Sequence, residues 1–165
     1  MIARISGVIQ ESIVDGPGMR ATVFFQGCPH NCEGCHNPQT HDPNGGSEKD
    51  TAEILKPILE NIILDGVTLS GGEPFMQAEA AVEIAQAAQG AGLNVWTYTG
   101  YTLEEIFNSG KDSWMELLQL TDVLVDGRFI KSQRTLDKPF AGSKNQRLIL
   151  VSETLESGEI VEYTR

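Results

Sequence analysis

The three cysteines of this chain all lie within eight residues, as Cys28, Cys32 and Cys35. An odd number of thiols cannot be fully paired in disulfides, and such close spacing would close only very small loops. Clustered thiols in a chain whose N-terminus shows no secretory signal indicate metal binding or redox chemistry. Pro29 and Gly34 make residues 27–38, here called the cysteine loop, rich in turns. Such a loop can curl three thiolates around one centre.

The C-x3-C-x2-C spacing is compatible with more than one metal centre. Iron–sulfur clusters are normally held by four thiolates, so a cluster bound here would keep one iron without a protein thiolate. A zinc ion held by the three cysteines and one of His30, His36 or His41 is an alternative. Zinc sites usually combine two short ligand pairs, and no second pair occurs in this sequence. A cluster completed by His36 as fourth ligand is the remaining alternative, and spacing alone leaves all three open.

A second loop of chemical interest, here called the G-G-E-P loop, contains Gly71, Gly72, Glu73 and Pro74. Two adjacent glycines allow close approach of the backbone and unusual φ values. Glu73 offers a carboxylate to an ammonium group, and Pro74 suits the first turn of a helix. Taken alone, the loop is equally compatible with an ordinary turn from a strand to a helix.

The elements that would position these loops are predicted from the hydrophobic pattern. Apolar residues at helical spacing also predict helices. Pro57 is expected to kink the first helix or to shift its start. Thr102 and Glu105 are expected to form a capping box at the start of the third helix. The predicted strands are residues 21–25, 66–69, 94–98, 122–125 and 147–151, with further candidates at 3–9 and 159–163, and the predicted helices are 54–62, 81–88, 102–107 and 114–118.

Strands that alternate with helices predict an α/β fold with a mostly parallel sheet. Parallel sheets bind ligands in the loops after the carboxyl ends of their strands, and both chemical loops follow predicted strands. At 165 residues the chain is too short for a complete eight-unit barrel, so we expect a partial, open (βα) barrel. The length also predicts a single domain over residues 1–165, with a core of about residues 5–151 and a C-terminal extension of 152–165.

The net charge of −11 argues against nucleic-acid binding, which requires a basic surface. No apolar run approaches the roughly 20 residues that cross a bilayer, so we expect a cytoplasmic protein without a membrane partner. Residues 126–147 are an exception to the acidic balance, with a local charge of +4. That segment is either an ordinary solvated stretch or a positive surface for an anionic group or acidic partner. Its basic residues are Arg128, Lys131, Arg134, Lys138, Lys144 and Arg147.

The cysteine loop and the G-G-E-P loop together resemble the radical S-adenosylmethionine (SAM) superfamily. The resemblance implies that Cys28, Cys32 and Cys35 hold a [4Fe–4S] cluster and are the catalytic and metal-binding residues. It further implies that the open iron binds SAM through its amino and carboxylate groups. In many members an aromatic residue precedes the third cysteine and lies by the adenine, whereas this chain has Gly34, which would offer backbone there. The other SAM-binding residues implied are His36, Gly71, Gly72, Glu73, Thr97, Tyr98, Thr99 and Gly100.

Three further segments make the resemblance more specific. Residues 15–20 (D-G-P-G-M-R) are similar to the activases of glycyl radical enzymes. Residues 97–100 (T-Y-T-G) and 142–147 (G-S-K-N-Q-R) resemble the activases of anaerobic (class III) ribonucleotide reductase. This implies reductive cleavage of SAM and formation of a glycyl radical on the large subunit of the reductase. The implied electron source is a one-electron donor such as flavodoxin or ferredoxin.

Three other functions remain as alternatives at this point. The chain could activate another glycyl radical enzyme, such as pyruvate formate-lyase, whose activases place an aspartate at the position of Thr97. It could be a radical SAM enzyme that acts on a small molecule. It could also be a non-catalytic zinc or iron–sulfur binding module, which would release no deoxyadenosine.

Overall fold

The structure, a computed structural model, describes residues 1–164 and shows strands and helices that alternate along most of the chain. The strands are β1 (Ile2–Ser12), β2 (Arg20–Phe25), β3 (Ser47–Asp50), β4 (Gly66–Gly71), β5 (Asn94–Tyr98), β6 (Val123–Asp126) and β7 (Arg147–Leu150). The helices are α1 (Thr51–Glu60), α2 (Ala78–Gly90), α3 (Leu103–Phe107), α4 (Asp112–Gln119) and α5 (Val151–Ser157).

The strands within residues 1–164 form one seven-stranded sheet with the order β3-β1-β2-β4-β5-β6-β7. The central strands β2, β4, β5 and β6 are parallel to one another, which confirms the predicted α/β architecture. The outer pairs β1–β2, β1–β3 and β6–β7 are antiparallel. The connection between β1 and β2 is too short for a crossover, so an antiparallel pairing is the only one it permits. The sheet is open, with β3 and β7 at its edges.

Both faces of the central strands are covered. One face packs against helices, and Val67, Ala81 and Leu117 belong to this larger core. The other face has a smaller cluster around Trp96, over which the Phe140 ring lies at 5.2 Å between centroids. Strands buried on both faces read as nearly continuous apolar runs, which is why the sequence pattern located them well.

Most predicted elements occur within a few residues of their expected bounds. The capping box at the start of α3 is confirmed, since Thr102 and Glu105 exchange both expected hydrogen bonds. Helix α1 begins at Thr51 and continues past Pro57, so the proline does not set its start. Asp50 caps this helix by accepting a hydrogen bond from the Ala52 N–H.

The two ends of the sheet differ from the sequence prediction. Strand β3 is polar and largely exposed, and it pairs with β1 through backbone hydrogen bonds. The sequence therefore shows no alternation of apolar and polar residues that would predict this strand. Val151, the expected end of the last strand, begins α5 instead. The candidate strand at 159–163 is reduced to an isolated bridge between Ile149 and Glu162. Among the described residues, no helix combines the length and the apolar character needed to cross a membrane.

Candidate active site

Three loops meet at the carboxyl edge of the parallel strands. Phe25 at the end of β2 lies opposite Gly71 at the end of β4, and Leu69 lies opposite Thr97 of β5. The cysteine loop follows β2, the G-G-E-P loop begins at the end of β4, and the T-Y-T-G segment ends β5. Because parallel strands run in the same direction, this register brings the three loops together, as the sequence analysis expected.

The cysteine loop is closed at its base by hydrogen bonds. The Gly27 N–H donates to the Thr40 carbonyl at 2.7 Å. The buried side chain of Gln26 donates from Nε2 to the carbonyls of Gln39 (3.0 Å) and Asp42 (2.7 Å). Gln26 was not among the residues predicted from the sequence, although a polar residue at the end of an apolar strand is a signal that could identify it. These bonds hold the loop as a closed unit on the end of β2.

The three thiols within this loop are unpaired and half-buried. Burial raises the pKa of Cys28 to about 11, and the charges of Glu73, Cys32 and Cys35 act in the same direction. Within residues 1–164, no three His, Cys, Asp or Glu side chains are already gathered into a metal-binding group.

The G-G-E-P loop lies directly against the start of the cysteine loop. The Gly72 N–H donates to the Phe25 carbonyl at 2.8 Å, and the Glu73 N–H donates to the Gly27 carbonyl at 2.9 Å. A Cβ atom on Gly72 would stand 2.8 Å from the carbonyl carbon of Gly27, which is far inside normal contact. Gly71 has a φ of +95°, which few residues other than glycine adopt. The two glycines are thus required by the close approach of the loops.

Glu73 is completely buried, and its carboxylate receives hydrogen bonds from three segments of the chain. Thr99 Oγ1 lies 2.9 and 2.8 Å from its two oxygens, and the Gly100 N–H donates to Oε1 at 2.8 Å. The Phe75 N–H donates to Oε2 at 3.1 Å. From the cysteine loop, His30 Nε2 contacts Oε1 at 2.7 Å. Glu73 therefore ties together the loops that follow β2, β4 and β5.

His30 acquires a role that the sequence analysis did not foresee. The sequence indicates His30 only as one of three possible zinc ligands, whereas in the structure its Nε2 contacts Glu73. Its ring also packs edge-on against Tyr101, with 4.6 Å between centroids and 76° between planes. A Cβ on Gly100 would lie 2.6 Å from His30 Nε2, so the glycine leaves room for the ring. No local sequence pattern could predict this contact, because 43 residues separate His30 from Glu73.

The remaining β5 residues of the predicted site lie apart from Glu73. The Thr97 hydroxyl is buried and bonds to Thr121 Oγ1 at 2.8 Å, and Thr121 in turn donates to the Leu117 carbonyl of α4. The Thr97 side chain therefore points toward the helices that cover this face of the sheet. Tyr98 packs beside Trp96 in the smaller cluster, and burial raises its pKa.

The long segment between β6 and β7 covers the outer side of the cysteine loop. Phe129 lies 5.2 Å from His36 between ring centroids, and a Cβ on Gly34 would lie 3.4 Å from Phe129 Cε1. The G-S-K-N-Q-R motif holds this segment: Gln146 Nε2 donates to the Gly127 carbonyl at 3.0 Å, and Asn145 Nδ2 donates to the Arg128 carbonyl at 2.8 Å. Phe129, which the sequence analysis did not single out, thus occupies space beside the residue that lacks a side chain.

The positive charge expected for residues 126–147 is partly neutralised in the folded chain. Arg147 binds the buried carboxylate of Asp126 and the carboxylate of Glu104, each at 2.5 Å. The two carboxylates that accept its hydrogen bonds raise the pKa of Arg147, and the Arg147 guanidinium in turn lowers the pKa of Glu104. Arg128 and Lys131 also pair with acidic residues, Glu105 at 3.2 Å and Glu33 at 3.5 Å. Within residues 1–164, three of the six basic residues therefore form ion pairs with acidic residues of the same chain.

Comparisons with known proteins show the family to which the chain belongs. Residues 14–149 match the family described as "4Fe-4S single cluster domain". The chain is 37% identical over 143 residues to the anaerobic ribonucleoside-triphosphate reductase-activating protein of Vibrio cholerae, covering 81% of this chain and 89% of that protein. It is 35% identical over 130 residues to the pyruvate formate-lyase-activating enzyme of Clostridium pasteurianum, covering 76% of this chain but 52% of the enzyme. The crystal structure of QueE from Escherichia coli is also similar, at 17% identity and a TM-score of 0.48, over 62% of this chain and 54% of that one.

Proposed function

The chain belongs to the family described as 4Fe-4S single cluster domain and is related to the activating proteins of anaerobic ribonucleoside-triphosphate reductase, and from this premise we propose how its site works. The protein is an activating enzyme for anaerobic ribonucleotide reductase, with a [4Fe–4S] cluster and SAM as cofactors. The observation that carries this function is the union of the cysteine loop and the G-G-E-P loop at one edge of the parallel strands. We also infer that the parallel centre of the sheet is a partial, open (βα) barrel.

The residues of the cysteine loop fit a cluster with one open iron. Cys28, Cys32 and Cys35 are unpaired thiols on one closed loop, one fewer than the four thiolates of a fully ligated cluster. We infer that these three cysteines hold the cluster and that the G-G-E-P loop lies against the bound SAM. When bound, the reduced cluster and SAM supply an electron and a carbon-centred radical that can abstract a hydrogen atom.

The protein's own contribution is positioning and shielding. Gly71 and Gly72 let the backbone after β4 approach the cysteine loop closely, so that a cofactor between the loops meets backbone groups. Thr99 and Gly100 bring the end of β5 to the same point through Glu73. Phe129 covers the outer side of the cysteine loop, where it limits access of water to the bound group.

The remaining predicted contacts lie around this centre, and we retain them as part of the proposal. Gly34 offers backbone and His36 an imidazole beside Phe129. Tyr98 lies on the sheet face opposite the helices, while Thr97 would contribute only backbone, because its hydroxyl bonds to Thr121.

The partners follow from the family. We infer that the target is a glycine of the reductase large subunit and that a one-electron donor such as flavodoxin or ferredoxin reduces the cluster. Reduced thiols persist in the cytoplasm, which is where we place this reaction. A second candidate target is pyruvate formate-lyase, which the 35% identity to its activating enzyme favours. That relative is about twice as long as the aligned region, since the chain covers 52% of it.

The decisive experiment is anaerobic reconstitution of the protein with iron and sulfide, followed by reduction in the presence of SAM. We expect release of 5′-deoxyadenosine and methionine. With the reductase added, we expect an electron paramagnetic resonance signal of a glycyl radical. Pyruvate formate-lyase added in its place serves as the matched substrate, and we expect no signal from it.

Each outcome has a distinct meaning. Stable zinc in the protein without deoxyadenosine release would make the chain a binding module and contradict the enzyme assignment. Deoxyadenosine release with a glycyl signal on formate-lyase alone would keep the chemistry and overturn the reductase as target. Turnover of SAM that needs a small molecule and no protein substrate would favour a radical SAM enzyme that acts on a small molecule.

A further inference from the structure

His30 and Glu73 connect the cysteine loop to the G-G-E-P loop. Among the hydrogen bonds described for residues 1–164, theirs is the only one that joins a side chain of residues 28–35 to the G-G-E-P loop. Both side chains are buried, at 4% and 0% exposure, and 2.7 Å separates Nε2 from Oε1. His30 lies midway between Cys28 and Cys32 in the sequence. The ring that touches Glu73 is therefore carried by the short stretch of chain between the first two thiols.

The acceptor capacity of Glu73 is already filled by the protein. An ionised carboxylate offers about four lone-pair sites. Four donor groups occupy them here: His30 Nε2, Thr99 Oγ1 and the N–H groups of Phe75 and Gly100. A cofactor ammonium group could bind this carboxylate only by displacing one of these donors.

The four donors differ in their freedom to move. The N–H groups of Phe75 and Gly100 belong to the backbone, and the Thr99 hydroxyl lies one residue beyond β5 and is bonded to both carboxylate oxygens. His30 is the only donor that arrives from the cysteine loop. Its ring is confined by Tyr101 on one side and by Gly100 on another, where even a methyl group would clash with it. The contact is thus held by packing as well as by the hydrogen bond.

We propose that His30 is a positioning residue that couples the cysteine loop to the SAM site, and that the carboxylate of Glu73 acts through His30 instead of binding the SAM ammonium group directly. The inference rests on the proposed function, in which the cysteine loop holds the cluster and SAM binds beside it. It adds that the side chain of Glu73 organises the loops, so that backbone groups of the G-G-E-P loop are what SAM meets. His30 and Glu73 then form one functional unit.

The test is a double-mutant cycle with His30→Phe and Glu73→Gln. The readout is the dissociation constant of SAM for cluster-loaded protein, compared at equal iron content. We expect each single variant to weaken SAM binding about tenfold, the scale for loss of one buried, charge-assisted hydrogen bond. Because the two residues act as a unit, we expect the double variant to be weakened about tenfold as well. His30→Gln keeps a side-chain N–H donor at similar reach and should restore binding to within about threefold.

A second readout uses the protein without its cofactors. Hydrogen exchange of the amides of residues 28–37 should be about tenfold faster in His30→Phe than in the unmodified chain, because the loop loses its attachment to Glu73. His41→Phe is the matched control: it is the same substitution close by, at a histidine whose buried Nε2 has no hydrogen-bond partner in the described residues. We expect His41→Phe to leave both SAM affinity and exchange unchanged.

The outcomes separate this inference from the proposed function. A double variant weakened by the product of the two single effects, about a hundredfold, would show that Glu73 and His30 act independently and would overturn the proposal. Unchanged exchange of residues 28–37 in His30→Phe would overturn it as well. If the unmodified chain retained no cluster and bound no SAM, the proposed function would fail, while the exchange experiment would still decide whether His30 anchors the loop.

Discussion

Replacement of Gly72 by alanine should separate the two loops of the active site. Its added methyl group would stand 2.8 Å from the carbonyl carbon of Gly27 and 3.0 Å from the carbonyl oxygen of Thr40. Non-bonded carbon atoms prefer a separation of about 3.5–4.0 Å, so the loops must part by roughly 0.7 Å or more. The obstructing atoms are backbone, which cannot turn aside as a flexible side chain would.

The expected loss in the free energy of unfolding has two contributions. Overpacking in a closely packed region costs about 1–3 kcal/mol. The bonds from the Gly72 N–H to Phe25 and from the Glu73 N–H to Gly27 span the same gap, and each contributes about 0.5–1.5 kcal/mol. We expect the free energy of unfolding to fall by about 3 kcal/mol, since the loops relax partly. For a domain of this size that corresponds to a melting temperature lower by roughly 6–12 °C.

The assay is thermal and urea unfolding of the apoprotein, together with SAM binding after reconstitution. Gly90→Ala is the matched control, because a Cβ there meets nothing within 4 Å at the end of α2. Alanine in a helix is favoured over glycine by about 0.5–1 kcal/mol, so we expect Gly90→Ala to be slightly stabilising. A Gly72→Ala protein as stable as the unmodified chain, with unchanged SAM affinity, would refute the argument that close approach of these loops builds the site.

Three further predictions concern the thiols and the buried charge. Cys32→Ala should abolish both iron retention and SAM cleavage, measured by iron analysis and deoxyadenosine release, and retained cleavage would contradict the assignment of the ligands. Because burial raises the pKa of Cys28 from 9.0 to about 11, its thiolate fraction in the apoprotein near pH 8 should fall about a hundredfold. Alkylation followed by peptide mass spectrometry should show that slowing relative to the unfolded chain, and equal rates would contradict it. Arg147→Met leaves Asp126 buried without its cation, and it should lower the free energy of unfolding, measured by urea titration, by about 3 kcal/mol. Arg128→Met is the control: it breaks an exposed ion pair and should cost below about 1 kcal/mol.

The central strands and the principal helices were predictable because their patterns are local. Residues 95–97, for example, are buried, and they form the middle of β5, which has the expected bounds 94–98. Strand β3 was not predictable, since its residues are polar and its existence depends on pairing with β1. Helix α5 also escaped prediction, because the apolar run of β7 continues into Val151 without a break in composition.

The charge of residues 126–147 illustrates the same limit at the surface. Composition gives this segment six basic and two acidic residues, and hence a net positive charge. Arg147, however, meets Asp126 within the segment and Glu104 from α3, and Arg128 meets Glu105 from the same helix. The net charge of a segment is a property of the sequence, whereas the field it presents depends on which acidic residues the fold brings near it.

The sequence by itself determined the chemistry that is available at the site. Three thiols on a short, turn-rich loop and a G-G-E-P loop after the next parallel strand are features of residue type and spacing, and these survive in any fold that keeps the order of the strands. Only the tertiary structure decided how the groups are used. The bond between His30 and Glu73 and the packing of Phe129 beside Gly34 join residues 43 and 95 positions apart in the sequence, and both depend on loops anchored at the sheet's carboxyl edge. Local patterns report which face of an element is apolar, but the partner of a buried polar group is chosen by strand register and by close packing between loops.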